Sequence, residues 1–333
     1  MKIVRKEFLD LLTTVLPGTS KTETFCQSDC FVFKDGKIHA FNGDIAVVAD
    51  FAAEWEAAIP APALIDVLGR LTETDLDFVF ADGELRIKGE RKTAGIKAHA
   101  DIEFPLGEIP EPAGFKKAPA ELFARLKQAG RVCASDESSP RTTHIHLTRA
   151  CIEATDGFRL YRTPIDLPIK REILIPAAAI AACKIIQASS VSAVDGWFHA
   201  KLSADVICSI RCAEMDYFAK DDLDKLLAVK GSKLQLPQNL PDILKRAAAM
   251  ESPGEMHVTL KDDLISLRTE NDNGWYCEKK KVKYAGNPLR FTVNPKFLLD
   301  ILQHSHEVTL GTGKMKIREE DGTQFVVALE IGE

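Results

Sequence analysis

No stretch of this sequence approaches the ~20 unbroken apolar residues that a membrane-spanning helix needs. The opening MKIVRKEFLDLL has neither a long apolar core nor a small-residue cleavage site, so it reads as folded structure rather than a secretion signal. A cytoplasmic chain with no membrane partner is the resulting expectation. An excess of positive charge is missing too: the net charge is −6 at pH 7. That excludes a chain coated in basic side chains but leaves room for a local basic surface, because binding depends on where charge sits. There is no low-complexity tail, no GxxxxGK[ST] phosphate loop, no HExxH and no GxSxG.

Metal-ligand spacing is equally thin. Cys26 and Cys30 are four apart, as are Cys208 and Cys212, whereas a structural zinc site uses two tighter pairs that converge. Reduced thiols acting as small hydrophobes are expected, with no metal and no cofactor. His144 and His146 would share one face of a strand, and His304 and His306 are spaced alike, but no third ligand stands near either pair. Cys133 or Cys151 with a histidine could in principle form a nucleophile, yet no local signature supports one. A small cysteine/histidine hydrolase is therefore the weaker functional class, and no enzyme is expected.

What the chain does have is repetition. Its 333 residues suit two or three domains, and three segments share one order of elements. Each opens with an amphipathic helix: Lys6–Leu16, Pro119–Val132 and Asn239–Met250. Phe8, Leu9, Leu12, Val15 and Leu16 follow a helical stripe, as do Leu122, Phe123, Leu126 and Ala129, and Leu240, Ile243, Leu244 and Ala247. Each has a second, proline-led helix, in IPAPALIDVL, IPAAAIAACK and VNPKFLLDIL. Comparable positions (Leu9 and Leu64, Phe123 and Ile180, Leu244 and Leu298) lie 55, 57 and 54 residues apart. Between and after the helices the period falls to two, with Asp35-Gly36 marking a hairpin turn in 31–41. The boundaries fall in the Pro/Gly-rich 104–115 and the charged 219–233, which gives domains 1–113, 114–226 and 227–333. Strands that outnumber helices, with two helices able to cover one sheet face, predict an α+β fold.

The string ATDGFRLYRTPIDLP (154–168) with ILIPAAAI (173–180) resembles the central domain of the bacterial DNA polymerase III beta sliding clamp family. FTVNPKFLLDIL (291–302) and the ending FVVALEIGE (325–333) are similar to two C-terminal segments of that family. Phe158 stands where the family usually has His, and Leu329 and Glu330 replace its Pro-Met ending. These departures imply a divergent member, and a phage or prophage source would fit the drift.

The resemblance implies three DNA-clamp domains, each with two helices on antiparallel sheets, and a ring formed as a head-to-tail homodimer. It implies a processivity factor that encircles duplex DNA without reading its sequence and tethers DNA polymerase and clamp loader through short linear motifs. Candidate DNA-facing residues are Arg70, Arg125, Gln128, Arg131, Lys184, Lys245, Arg246 and Lys296. The implied partner-peptide pocket uses Thr155, Gly157, Phe158, Arg159, Leu160, Val326 and Ala328. The implied dimer contact involves Ile96, Ala249 and Met250. The densest basic run, CEKKKVKY (277–284), is expected on an edge strand, where lysines block unwanted strand pairing. A non-catalytic interaction protein on a clamp fold remains an alternative.

Overall fold

The computed structural model describes all residues except 110, 137–138, 184–187, 251–253, 285, 303–304 and 332–333. Lys184 and His304 therefore lie outside the described residues, as does the side chain of Ala249. Among the described residues, no helix is long and apolar enough to cross a membrane.

The expected helices form where their apolar stripes predict. Helix Arg5–Val15 buries Phe8, Leu12 and Val15, and helix Ala61–Arg70 buries Ala61, Leu64 and Leu68. Leu122–Val132 is shorter at its start than predicted, because Pro119 and Ala120 stay in a turn closed by the Leu122 N–H on the Pro119 carbonyl. Ala177–Ala182 follows the second IP pair, and Leu240–Ala247 and Pro295–Leu302 complete the set. The charged stretch 219–233 contains a helix that its composition did not suggest, Lys220–Leu227. Leu223 and Leu227, one turn apart, give it a buried face. Asp221 and Asp222 in its first turn and Lys225 in its last complement its dipole.

The order helix, strands, helix, strands recurs three times along the chain. Packing nonetheless groups the residues into two compact units. The first comprises Met1–Gly130, Leu147–Arg149 and Asp166–Met215; the second comprises Arg131–His146, Ala150–Ile165 and Asp216–Glu333.

The first unit holds two sheets. One has the strand order Lys2–Val4, Asp75–Ala81, Glu84–Lys88, Thr93–Lys97. The other runs Ala57–Pro60, Cys30–Lys34, Lys37–Phe41, Ile45–Asp50, Val206–Arg211, Trp197–Lys201, Ser190–Val194, Lys116–Lys117. Its middle is a seam between two repeats, with Ile45 opposite Ile210 and Ala46 opposite Ser209. The predicted turn at Asp35-Gly36 has φ of 52° and 70°, the left-handed pair that a two-residue hairpin demands. Phe8 anchors the core, stacked on Phe51 at 4.8 Å and edge-on to Phe78 at 5.5 Å.

The second unit repeats the plan. Strands His144–Leu147, Cys151–Thr155, Arg159–Pro164, Gln324–Ala328, Lys314–Arg318, Glu307–Gly311 and Ser232–Gln235 follow one another in a sheet. Here too a seam joins two repeats, with Arg159 opposite Val327 and Leu160 opposite Val326. A five-stranded sheet runs Gly274–Lys281, Leu264–Asn271, Met256–Lys261, Leu289–Val293, Glu330–Ile331.

Candidate functional site

The ATDGFRL string forms the turn between strands Cys151–Thr155 and Arg159–Pro164. Asp156 closes it. Its Oδ1 accepts the backbone N–H groups of Phe158 and Arg159, each at 2.9 Å. This local carboxylate-to-backbone bonding is why Asp suits the position. Gly157 sits at φ 91°, a conformation that favours glycine. Thr155 Oγ1 donates to the Arg159 carbonyl at 2.7 Å and accepts the Gly157 N–H at 3.1 Å. Its hydroxyl is thus engaged inside the turn.

Arg159 is engaged as well. Its guanidinium donates to Asp156 Oδ2 at 2.9 Å, to Asp300, and to the Arg131 carbonyl at 2.5 Å. It also lies over the Phe297 ring, 4.5 Å from the centroid. Arg159 and Thr155 therefore stiffen the turn, whereas the side chain of Phe158, 66% exposed, stands clear of it.

Leu160 and Val326 face each other across the seam and form an apolar cluster with Leu223 and Leu227. Tyr217, Phe218 and Val229 pack against it. Ala328 is exposed beyond the cluster, its N–H donating to the Phe158 carbonyl at 2.8 Å. Helix Lys220–Leu227 is tethered at its middle and its C-terminal end. Asp224 accepts from Arg162 and Lys220, each at 2.5 Å, and Lys316 Nζ donates to the Leu227 carbonyl at 2.5 Å. Arg162 also pairs with Glu153, whose carboxylate accepts from His146 Nδ1 at 3.0 Å. Burial would raise the Glu153 pKa, but the His146 hydrogen bond and the Arg162 charge outweigh it and hold the carboxyl below its usual value.

Reading the sequence missed Leu223, Leu227, Asp224 and Asp300. The signal for the first two was present, as leucines four apart behind an acidic first turn. Asp300 lay within the FTVNPKFLLDIL segment, but its role could not be read there because it depends on a contact 141 residues away along the chain.

The basic candidates have mixed settings. In the first unit, Arg70 pairs with Asp66 at 2.9 Å, and Arg125 and Gln128 are half-buried on helix Leu122–Val132. In the second, Arg131 is exposed, Lys245 lies 3.8 Å from Asp242, and Lys296 is exposed at the start of its helix. Arg246 is held by Glu278 at 2.8 Å and by the Tyr276 hydroxyl at 3.1 Å. The Tyr276 and Arg246 hydrogen bonds lower Glu278 to about 2. Ile96 is buried on strand Thr93–Lys97, at an edge of its sheet. Met250 is half-buried at the end of the short helix Ala248–Met250.

The hydrolase candidates behave as structural groups. His146 is paired with Glu153 and packs, tilted, against the Tyr217 ring at 4.5 Å. Burial pushes the Cys133 thiol up to about 12, the opposite of what a nucleophile needs at neutral pH. Cys183 and Cys208 are in thiol contact at 3.4 Å, and none of the eight cysteines is in a disulfide.

No protein-family model and no curated protein matches the chain. Solved structures do. A DnaN sliding clamp (DNA polymerase III subunit beta) from Bartonella birtlesii superposes with a TM-score of 0.86 at 16% identity, over 99% of this chain and 98% of that one. The DNA polymerase III beta subunit from Thermotoga maritima gives 0.84 at 18% identity, over 100% and 99%. The DnaN sliding clamp from Pseudomonas aeruginosa gives 0.84 at 18%, over 99% and 98%. The chain thus has the fold of these clamps from end to end.

Proposed function

We propose that this chain is a divergent sliding clamp of the DNA polymerase III beta family: a non-catalytic, cytoplasmic processivity factor of three repeated domains, 1–113, 114–226 and 227–333. Its two copies would join head to tail into a ring around duplex DNA. The observation that carries this reading is the fold likeness to solved clamps, at TM-scores of 0.84 to 0.86 over essentially the whole chain.

The sheet edges support the ring. Each unit contains one seam at which the third strand of one repeat's hairpin set pairs with the last strand of another. The same two kinds of strand occur once more without a partner, as Gly274–Lys281 and Thr93–Lys97, each at the end of its sheet. An unpaired edge is a template for another chain. Carrying the seam register across by the repeat sets Tyr276 opposite Ile96, Cys277 opposite Gly95, Glu278 opposite Ala94 and Lys279 opposite Thr93. Met250, with Ala249, precedes the same sheet and would flank this joint. Contact between unlike edges closes only if the rotation closes, which a two-chain ring satisfies.

DNA would be held by charge rather than by base contacts, through Arg70, Arg125, Gln128, Arg131, Lys184, Lys245 and Lys296. Arg246 would contribute less, being committed to Glu278. Partner peptides from polymerase and clamp loader would enter at Phe158 and Ala328 and reach the Leu160–Val326 cluster, with Thr155, Gly157 and Arg159 holding the wall rigid.

The register gives a direct test. Gly95→Cys would meet the native Cys277 of a second chain at the ~5.5 Å Cα separation of a paired antiparallel position, within disulfide reach. Mild oxidation should yield a two-chain species of about 73 kDa, twice 36.7 kDa, lost when Cys277→Ser is added. Closing the joint in the presence of nicked circular DNA should retain protein on the circle until the DNA is linearised. A monomer by light scattering, with no crosslink, would sink the ring.

A further inference from the structure

The five-stranded sheet of the second unit has two unlike faces. Met256, Val258, Leu260, Ile265, Leu267, Phe291 and Val293 are buried on one. Alternate residues point the other way, and the pairing registers place them in rows. Lys281 stands opposite Leu264, which stands opposite Lys261. In the next row come Lys279, Ser266, Thr259 and Arg290, and in the next Cys277, Arg268, His257, Thr292 and Glu330, that row's single carboxylate. Trp275, opposite Glu270, ends the series.

This face is basic on a chain whose net charge is −6. Lys261, Lys279, Lys281 and Arg290 are exposed. Lys279, Lys281 and Arg290 have no ion-pair partner among the described residues, and Lys261 lies a loose 3.8 Å from Asp262. Trp275 is 61% exposed, backed by the Arg268 guanidinium 4.8 Å from its ring centroid, and Arg268 is fixed by Glu270 at 2.8 Å. Protection of an edge strand accounts for Lys279 and Lys281. It does not account for Lys261, Arg268 or Arg290, which lie on inner strands, or for an indole left in water.

We propose that this face is a binding platform for single-stranded nucleic acid, with a base stacked on Trp275 and phosphates lying along the Lys279, Lys281, Lys261 and Arg290 rows. Flat sheets that combine cations with an exposed aromatic ring suit unstacked bases, whereas a duplex offers the indole no free base face. The platform lies within one unit of one chain. It neither needs the ring nor would be covered by it, since edge pairing extends a sheet in its own plane.

The test is fluorescence anisotropy of a labelled dT20 oligonucleotide with the full chain at low salt. Saturable binding is expected, with a log–log salt slope of about −2 to −3, as for three or four phosphates at ~0.7 each. Lys279→Glu with Lys281→Glu should weaken it at least tenfold, and the corresponding Gln pair should weaken it less. Trp275→Ala should weaken it about fivefold and leave the salt slope unchanged. Lys37→Glu, on the first unit, should have no effect. Thermal melts matching the parent would show that each variant folds. Several outcomes overturn the platform: no saturable binding; equal competition by polyglutamate, anionic vesicles or a duplex of the same length; Trp275→Ala without effect; or loss of binding only through Lys245→Glu on the helix. A chain found monomeric that still binds dT20 would refute the ring and leave the platform standing.

Discussion

The turns 42–45 and 156–159 occupy the same place in their repeats, one at each seam, and their backbones are built alike. Asn42 Oδ1 accepts the N–H groups of Asp44 and Ile45 at 3.1 and 2.8 Å, as Asp156 does for Phe158 and Arg159. Gly43 and Gly157 follow at φ 99° and 91°. What covers the two seams differs. In the first unit, Phe104 from the Pro/Gly-rich stretch joins Phe41, Ala46 and Trp197 in one cluster, with Phe25, Ile102, Leu106 and Ile109 packed on it. In the second, helix Lys220–Leu227 lays Leu223 and Leu227 on Leu160 and Val326 and is tethered by the Arg162–Asp224 ion pair. The first seam is thus covered by a cluster of aromatic rings, and the second by aliphatic side chains under a short helix. The same scaffold therefore carries two differently covered seams, according to the segment that follows each.

The largest expected break in this comparison is Phe41→Ala. It should cost about 3–5 kcal/mol in denaturant unfolding, because a fully buried ring leaves a cavity among other rings. Leu227→Ala should cost less and should chiefly raise hydrogen exchange over 220–227. Next is Glu153→Gln, which leaves the largely buried Arg162 with Asp224 as its remaining charged partner, at about 3 kcal/mol. Full stability retained after this change would show that the pair is not structural.

Acid should separate the units. Burial lowers the His199 pKa to about 4 from an ordinary 6.5. The unfolded chain then binds the proton first, so stability is full above about pH 6.5 and is lost as pH falls toward 4, by on the order of 2–3 kcal/mol. Glu153 is shifted below its usual value, so its contribution persists to lower pH and is lost only as pH falls through that depressed pKa. Trp55 and Trp197 in the first unit should report the acid transition before Trp275 in the second. His199→Gln should flatten the early phase. The smallest effect is at the turns. Asn42→Ala should cost about 1 kcal/mol. Asp156→Ala should cost more, because it also releases Arg159. Equal costs would mean that the Arg159 contacts add nothing.

Much of this was legible beforehand. The helix stripes at Phe8–Val15 and Leu240–Ala247, the Asp-Gly turns and the three near-equal helix spacings all follow from side-chain periodicity, a local property. The helix at Lys220–Leu227 was hidden because its charge suggested a linker, and only the spacing of two leucines spoke against that.

By itself the sequence determined which segments are helices, where hairpins turn and that one pattern recurs three times, since those depend on φ preferences and on periods of 3.6 and 2. Only the tertiary structure decided that packing groups three repeats into two units, that Thr155 and Arg159 are engaged within their turn, and that basic side chains on an edge strand continue across three more strands. Those outcomes depend on contacts between residues far apart along the chain, which no local pattern records.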